Sequence, residues 1–262
     1  MGVEFAKAAL AAGHDVVATG RSVDAVAQAV GESDDLLVVR LDVTSAADAA
    51  AAVEAAVDRF GGIDVLVNNA ASFYAGFFEE LTPEQMERQL ATSLFGPMNV
   101  TRAVLPVMRE QRSGHVVTIS SSAGFAGFEY GTAYAASKFG VDGWMESLAP
   151  EIEPFGIRTM LVEPGMIRST FYEAATRVPV SPPYRGTPAD RTPVPLEQMP
   201  GDQAKVVAAM IDAALAPDPP RRLLLGSDAY RLVHDALGAR LAAVEAQRDQ
   251  AASTDVDGWS QP

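Results

Sequence analysis

The chain reads as an α/β protein built on a doubly wound parallel sheet. Three observations carry that reading. Short apolar, β-branched runs alternate with longer helical stretches, the pattern of a parallel sheet covered by helices on both faces. A serine cluster, Ser120 to Ser122, stands at the C-terminal end of one such run, where open parallel sheets bind ligands. At 262 residues the chain is also within the size of one α/β domain with a substantial core.

Taken in order, the chain opens at Met1-Gly2 directly on a helical stretch, 3–12, carried by Val3, Phe5, Ala6, Ala8, Ala9 and Leu10. Strand-like runs follow at 15–19 and 36–41, and Ser45 with Asp48 makes a weaker form of capping box for an alanine-rich helix over 45–60. The next strand is read at 63–67. Thr82-Pro83-Glu84 starts a long helix over 83–112, with proline at its first position. His115-Val116-Val117-Thr118-Ile119 alternates poorly but is β-branched and apolar, so 115–120 reads as a buried strand. A helix over 132–152, a strand at 157–162, a helix over 202–216 and a strand at 221–225 complete the series.

Tyr134 and Lys138 carry the most chemistry. Four residues is about one helical turn, so phenol and ammonium project from one face. The chain has three lysines against seventeen arginines, and a lysine kept here points to a compact ammonium rather than a planar fork. Tyrosine, with a pKa near 10, is a poor proton donor or acceptor at neutral pH; an adjacent ammonium favours phenolate, and bringing the phenol down to neutrality corresponds to roughly 4 kcal/mol. Such a phenol is a usable general acid or base. Ser121, at the strand end thirteen residues upstream of Tyr134, is placed to hydrogen-bond and orient a substrate oxygen.

At these residues the chain resembles the short-chain dehydrogenase/reductase family, single-domain NAD(P)-dependent oxidoreductases with a Rossmann-like sheet, and within it 17-beta-hydroxysteroid dehydrogenase-like members. Further marks are Leu41-Asp42-Val43, Asn68-Asn69-Ala70 and Pro164-Gly165 after Met160-Leu161-Val162-Glu163, and the resemblance runs from residue 2 to about residue 226. It implies hydride transfer between a nicotinamide and a carbonyl or secondary alcohol, with Ser121, Tyr134 and Lys138 as the catalytic set. Asp42 and Val43 would line the adenine, Asn68, Asn69 and Ala70 would pass the adenosine ribose, and Pro164, Gly165 and Ile167 would flank the nicotinamide. Thr170 would bond the carboxamide, and Tyr134 and Lys138 would contact the nicotinamide ribose. Arg21, where an NAD binder usually carries an acid, suits a ribose 2′-phosphate, so NADP(H) is expected over NAD(H). Where the family has an asparagine that holds a relay water on the long fourth helix, this chain has Ser93.

The resemblance also exposes a gap at the front. The family opens on a strand and a glycine-rich turn that holds the pyrophosphate; here Gly2 fits the last glycine of that loop, and the first strand with most of the loop is lacking. That strand lies mid-sheet, so its absence leaves two open edges in the core. Either the chain starts at an internal methionine of a longer natural chain, which the intact downstream motifs favour, or it is a truncated, impaired form. The second possibility carries a rival function, a catalytically weak dinucleotide-binding or regulatory protein. Epimerisation or dehydration of sugars is disfavoured by length, and enoyl reduction by the Tyr–Lys spacing.

Aromatic residues on loops after strand ends, Phe73, Tyr74, Phe77, Phe125, Phe128 and Tyr130 with Phe171 and Tyr172, point to a bulky or apolar carbonyl substrate, and Met166 is counted with them. The proline-rich stretch from Met166 to about Pro200 is read as a lid within a domain spanning 1–248, and 249–262 as a polar, disordered tail. A net charge of −14 disfavours nucleic acid and anionic membrane partners. No stretch is apolar enough to span a bilayer, no signal segment opens the chain, and a cytoplasmic protein is expected. Without cysteine there are no disulfides or thiolate chemistry, and His14, His115 and His234, taken as ordinary strand-edge or helix-surface residues, show no metal-ligand spacing. Apolar positions beyond those needed to cover one sheet face, on the helices at 83–112 and 132–152, lead to an expected homodimer or homotetramer.

Overall fold

The computed structural model describes residues 1–187, 194–256 and 259. Along the chain the elements are α1 (Gly2–Ala11), β1 (Val16–Gly20), α2 (Val23–Val30), β2 (Leu36–Arg40), α3 (Ala46–Phe60), β3 (Val65–Asn68), β4 (Tyr74–Ala75) and α4 (Pro83–Leu90). After a π turn at Ala91–Phe95 come α5 (Gly96–Gln111), β5 (Gly114–Ile119), α6 (Thr132–Ile152), β6 (Ile157–Pro164) and β7 (Thr176–Arg177). The series ends with α7 (Gln203–Leu215), β8 (Arg222–Leu225), α8 (Ser227–Glu245) and α9 (Arg248–Ala252).

The expected parallel sheet is present as two pieces. β1 pairs β2 with Val16 opposite Leu36, while β3, β5, β6 and β8 form a second piece, Val65 opposite His115, Gly114 opposite Ile157 and Leu161 opposite Arg222. Every pairing is parallel, as crossover helices require. Between the unpaired edges of β1 and β3 lies a cavity of about 1040 Å³, lined by Val17 and Ala18 on one side, Leu66 and Val67 on the other, with Phe5 and Val100. α1 closes one side of the cavity through Ala6 packed with Ala18 and Val30.

Strand alternation sends neighbouring residues to opposite faces, and both faces are covered. On one, Val116 and Leu161 meet Val104 and Met108 of α5 and Val141 and Met145 of α6. On the other, Val117, Met160 and Val162 meet Val206 and Met210 of α7. Local signals explain the helix starts. Ser45 Oγ accepts the Asp48 amide at 3.1 Å, and Thr82 and Gln85 form a reciprocal capping box ahead of Pro83.

Four expectations need correction. The helix read over 83–112 is broken by the π turn, whose extra residue re-aims Ser93 inward. Part of the segment read as a disordered tail, 249–252, is the body of α9, stabilised by Ala251 N–H to Gln247 O at 2.8 Å; residues 257, 258 and 260–262 of that tail lie outside the described residues. α8 stands where no helix was expected, with only Ala229 and Val233 buried. His115 is not a strand-edge or surface histidine: it is 2 % exposed on the central strand β5, its Nδ1 against Ala214 O at 3.0 Å, and burial pushes its pKa down. Of the segment 166–200, residues 188–193 lie outside the described part; within the rest, β7 pairs β4 in parallel, Tyr74 opposite Thr176. Among the described residues no helix is long and apolar enough to cross a membrane.

Candidate active site

α6 presents Tyr134 in its first turn and Lys138 one turn on, both facing the C-terminal end of β5. The Lys138 ammonium is buried, donates to Ile119 O at 2.7 Å and lies 5.6 Å from the Tyr134 ring centroid. Ser121 leaves β5 in extended conformation, caps the 3-10 turn Ser122–Gly124 by accepting the Ala123 amide at 3.2 Å, and stands close enough to the Tyr134 phenol to act on its ionisation. The three residues of the expected catalytic set therefore come together at one strand end.

Rings enclose the phenol. Phe73, Phe171 and Phe128 lie 5.0, 5.9 and 6.4 Å from the Tyr134 ring, and Tyr172 packs edge-on against Phe171 at 5.5 Å. Burial among these rings pushes the Tyr134 phenol well above its ordinary range, with Ser121 opposing. The same burial brings Lys138 down to about 8, with the Asp142 carboxylate opposing.

The buried Ser93 hydroxyl accepts the Ser72 amide at 3.0 Å and Gln89 Nε2 at 2.9 Å, and among the described residues no hydrogen bond joins it directly to Lys138. The remaining aromatics divide. Phe77 stacks on Tyr184 at 3.9 Å and meets Tyr130 at 5.5 Å, away from the phenol, while Phe125 lies under the Arg222 guanidinium at 4.7 Å.

On the dinucleotide side, Arg21 is exposed just past the end of β1, and Arg21 and Arg40 both act on the Asp42 carboxylate. Hydrogen bonds from Thr44, with those arginines, hold Asp42 below its usual range. Its Oδ1 accepts the Thr44 amide at 3.0 Å and hydroxyl at 2.7 Å, so it is turned into its own loop rather than outward. Val43 packs against Gly96, where a Cβ would stand 2.7 Å from Val43 Cγ2. Asn68 is occupied within the core, donating to Thr101 and Thr118 at 3.0 and 3.1 Å, whereas Asn69 stands beside Gly2 and Ala70 is exposed. At the end of β6, Gly165 is packed so closely on Asp228 that a Cβ would sit 2.3 Å from its carboxylate, and the Met166 amide donates to Asp228 at 2.8 Å. Ile167 is buried among Val206 and Met210 rather than lining an open face, and Thr170 is exposed.

These residues fit a dinucleotide at three points: guanidiniums at the strand ends, an α1 N-terminus with no side-chain cap, and a Lys138 ammonium that spends one of its three donors. Residues 1–178 match the short chain dehydrogenase family. The chain belongs to that family. Over 256 residues it is 32% identical to an oxidoreductase, BOA17, of Botryotinia fuckeliana, spanning 95% of this chain and 93% of that one. A short-chain dehydrogenase from Streptomyces avermitilis is similar at 36% identity with a TM-score of 0.88, covering 96% of this chain and 93% of that chain. A metagenomic short-chain oxidoreductase in complex with NADP is similar at 26% identity and TM-score 0.65, covering 85% and 90%.

As a short-chain dehydrogenase the chain is an oxidoreductase, and it carries polar residues at its site that sequence patterns do not flag. Arg222 Nη1 donates to Asp142 at 3.1 Å and to Glu163, and Nη2 to Glu146 at 2.6 Å, joining α6, β6 and β8 beneath the serine turn. Ser120 Oγ donates to Asp142, tying that cluster to the residue before Ser121. Gln89 is wholly buried with four partners. The available signal was a polar residue in each case on an otherwise buried face.

Proposed function

We propose that this short-chain dehydrogenase is an NADP(H)-dependent oxidoreductase that interconverts a carbonyl and a secondary alcohol on an apolar substrate. The observation that carries this reading is the joint placement of Ser121, Tyr134 and Lys138 at the end of β5, inside a wall of aromatic rings. In the reductive direction Ser121 donates a hydrogen bond to the carbonyl oxygen and orients it. Tyr134, held protonated by its surroundings, gives its proton to that oxygen as negative charge develops there. Lys138, beneath the ring, opposes the charge left on the phenolate. The bound dinucleotide, with its nicotinamide against Pro164 and Gly165, would supply or accept the hydride. Arg21, with Arg40 beside it, supports a 2′-phosphate and hence NADP(H). The described part of 166–200, with Phe171 against Tyr134 and Tyr172 packed edge-on against Phe171, works as a lid that excludes water from the reacting oxygen. We assign the protein to the cytoplasm, as a homodimer or homotetramer formed through the helices around α5 and α6, without nucleic acid or membrane partners.

Replacing Tyr134 by phenylalanine is expected to lower NADPH-dependent reduction of a bicyclic aromatic ketone by on the order of 100-fold or more. Unchanged reduction would refute the assignment.

A further inference from the structure

The wall nearest the phenol is Phe73, and the backbone on both sides of it is held by one side chain. Gln89, at the end of α4 and wholly buried, accepts the Tyr74 amide on Oε1 at 2.9 Å and donates from Nε2 to Ser72 O at 2.9 Å. Accepting from the residue after and donating to the residue before is the pattern that a neighbouring strand presents to a residue in a parallel ladder. The Gln89 carboxamide thus stands in for a strand opposite Phe73, whose side chain is committed to one direction.

The same nitrogen reaches Ser93 Oγ at 2.9 Å and Ser137 Oγ at 3.2 Å, and Ser137 donates to Tyr134 O at 2.7 Å. Loop, π turn and the Tyr134 turn of α6 are therefore tied at a single amide. A buried carboxamide with both its donor and acceptor sides used has little freedom to move.

We propose that Gln89 is a positioning residue that sets substrate selection by fixing Phe73 against Tyr134. The inference rests on the oxidoreductase reading above. Gln89 touches neither substrate nor cofactor; it acts through the ring of Phe73, which is the surface an apolar carbonyl compound meets beside the phenol.

The test pairs Gln89→Met, which keeps length and loses both bonds, with Phe73→Ala. With α-tetralone as the probe ketone, Gln89→Met is expected to raise KM about tenfold with kcat within threefold. In the Phe73→Ala background the same change is expected to raise KM less than twofold, because the ring through which it acts is gone. Gln89→Glu, which keeps the acceptor for Tyr74, is expected to fall between and serves if the methionine variant does not fold. Effects of Gln89 and Phe73 that multiply independently would overturn the proposal. Hydrogen exchange supplies an arm free of activity: the Tyr74 amide is expected to exchange at least tenfold faster in Gln89→Met while β5 amides hold their rates, and an unchanged Tyr74 rate would also overturn it. A wild-type protein that reduces no carbonyl compound would sink the oxidoreductase reading and leave the exchange arm to decide the bracket.

Discussion

Arg222 is one cation facing three carboxylates, and that imbalance sets a measurable pH dependence. Asp142, Glu146 and Glu163 all bond it, and Lys138 lies on the far side of Asp142. Glu163 is 1 % exposed, so it is the group for which ionisation costs most. Burial pushes its carboxyl from 4.5 up to about 8, with the Arg222 charge opposing and Asp142 adding to the rise. A folded pKa above the unfolded one means that the stabilisation is complete below about 4.5 and is lost as pH rises through 8. Between those values the loss is about 1.4 kcal/mol per pH unit, which comes to about 2 kcal/mol between pH 6 and 8. Glu163→Gln imitates the protonated form and removes that slope. Urea unfolding of both proteins at pH 6, 7 and 8 is the assay, and the difference between them is the quantity to follow. His115 and Lys138, whose folded pKa values are depressed, lose stability in the opposite sense as pH falls and cancel in that difference. Parallel pH profiles for the two proteins would refute the argument that Glu163 is the carboxyl that keeps its proton.

Arg21→Asp is expected to lower kcat/KM for NADPH at least tenfold and to favour NADH; an unchanged preference would make Arg21 a solvated loop charge. Gly156→Ala is expected to cost about 1–3 kcal/mol in urea unfolding, since φ is +75° and a Cβ would stand 2.4 Å from Arg112 O; equal stability would contradict that contact. Fusing an apolar strand and a glycine-rich turn ahead of Met1 is expected to raise Tm and to tighten NADPH binding measured by fluorescence. If neither changes, the gap between β1 and β3 is not a strand site.

What the sequence shows well is what local spacing decides. Tyr134 and Lys138 share a face because they lie four residues apart on a helix, and the strand at 36–41 is recognised because its apolar run is continuous. The phenol's upward shift is not local: Phe73 and Phe171, which cause it, come from loops on either side of α6 and meet only in the folded chain. Gln89 escapes notice because its partners lie 4 to 48 residues away. α8 gives weak contrast because Leu237, Leu241 and Val244 are exposed while only Ala229 and Val233 are buried. Ser93 aligns with a family position, yet its hydrogen bond to Ser72 depends on the π turn at Ala91–Phe95, which only the Gly96-Pro97 pair that follows marks in the sequence.

The gap between β1 and β3 also has a mechanical side. Pressure favours whichever state occupies less volume, and unfolding abolishes internal voids, so the response to pressure grows with the void that folding leaves behind. The space of about 1040 Å³ between the two half-sheets is wide enough for water and is lined by polar as well as apolar groups, so only the part of it that stays dry counts as void. The response of unfolding to hydrostatic pressure therefore reads how much of the space beside Val17, Ala18, Leu66 and Val67 is dry in the folded chain.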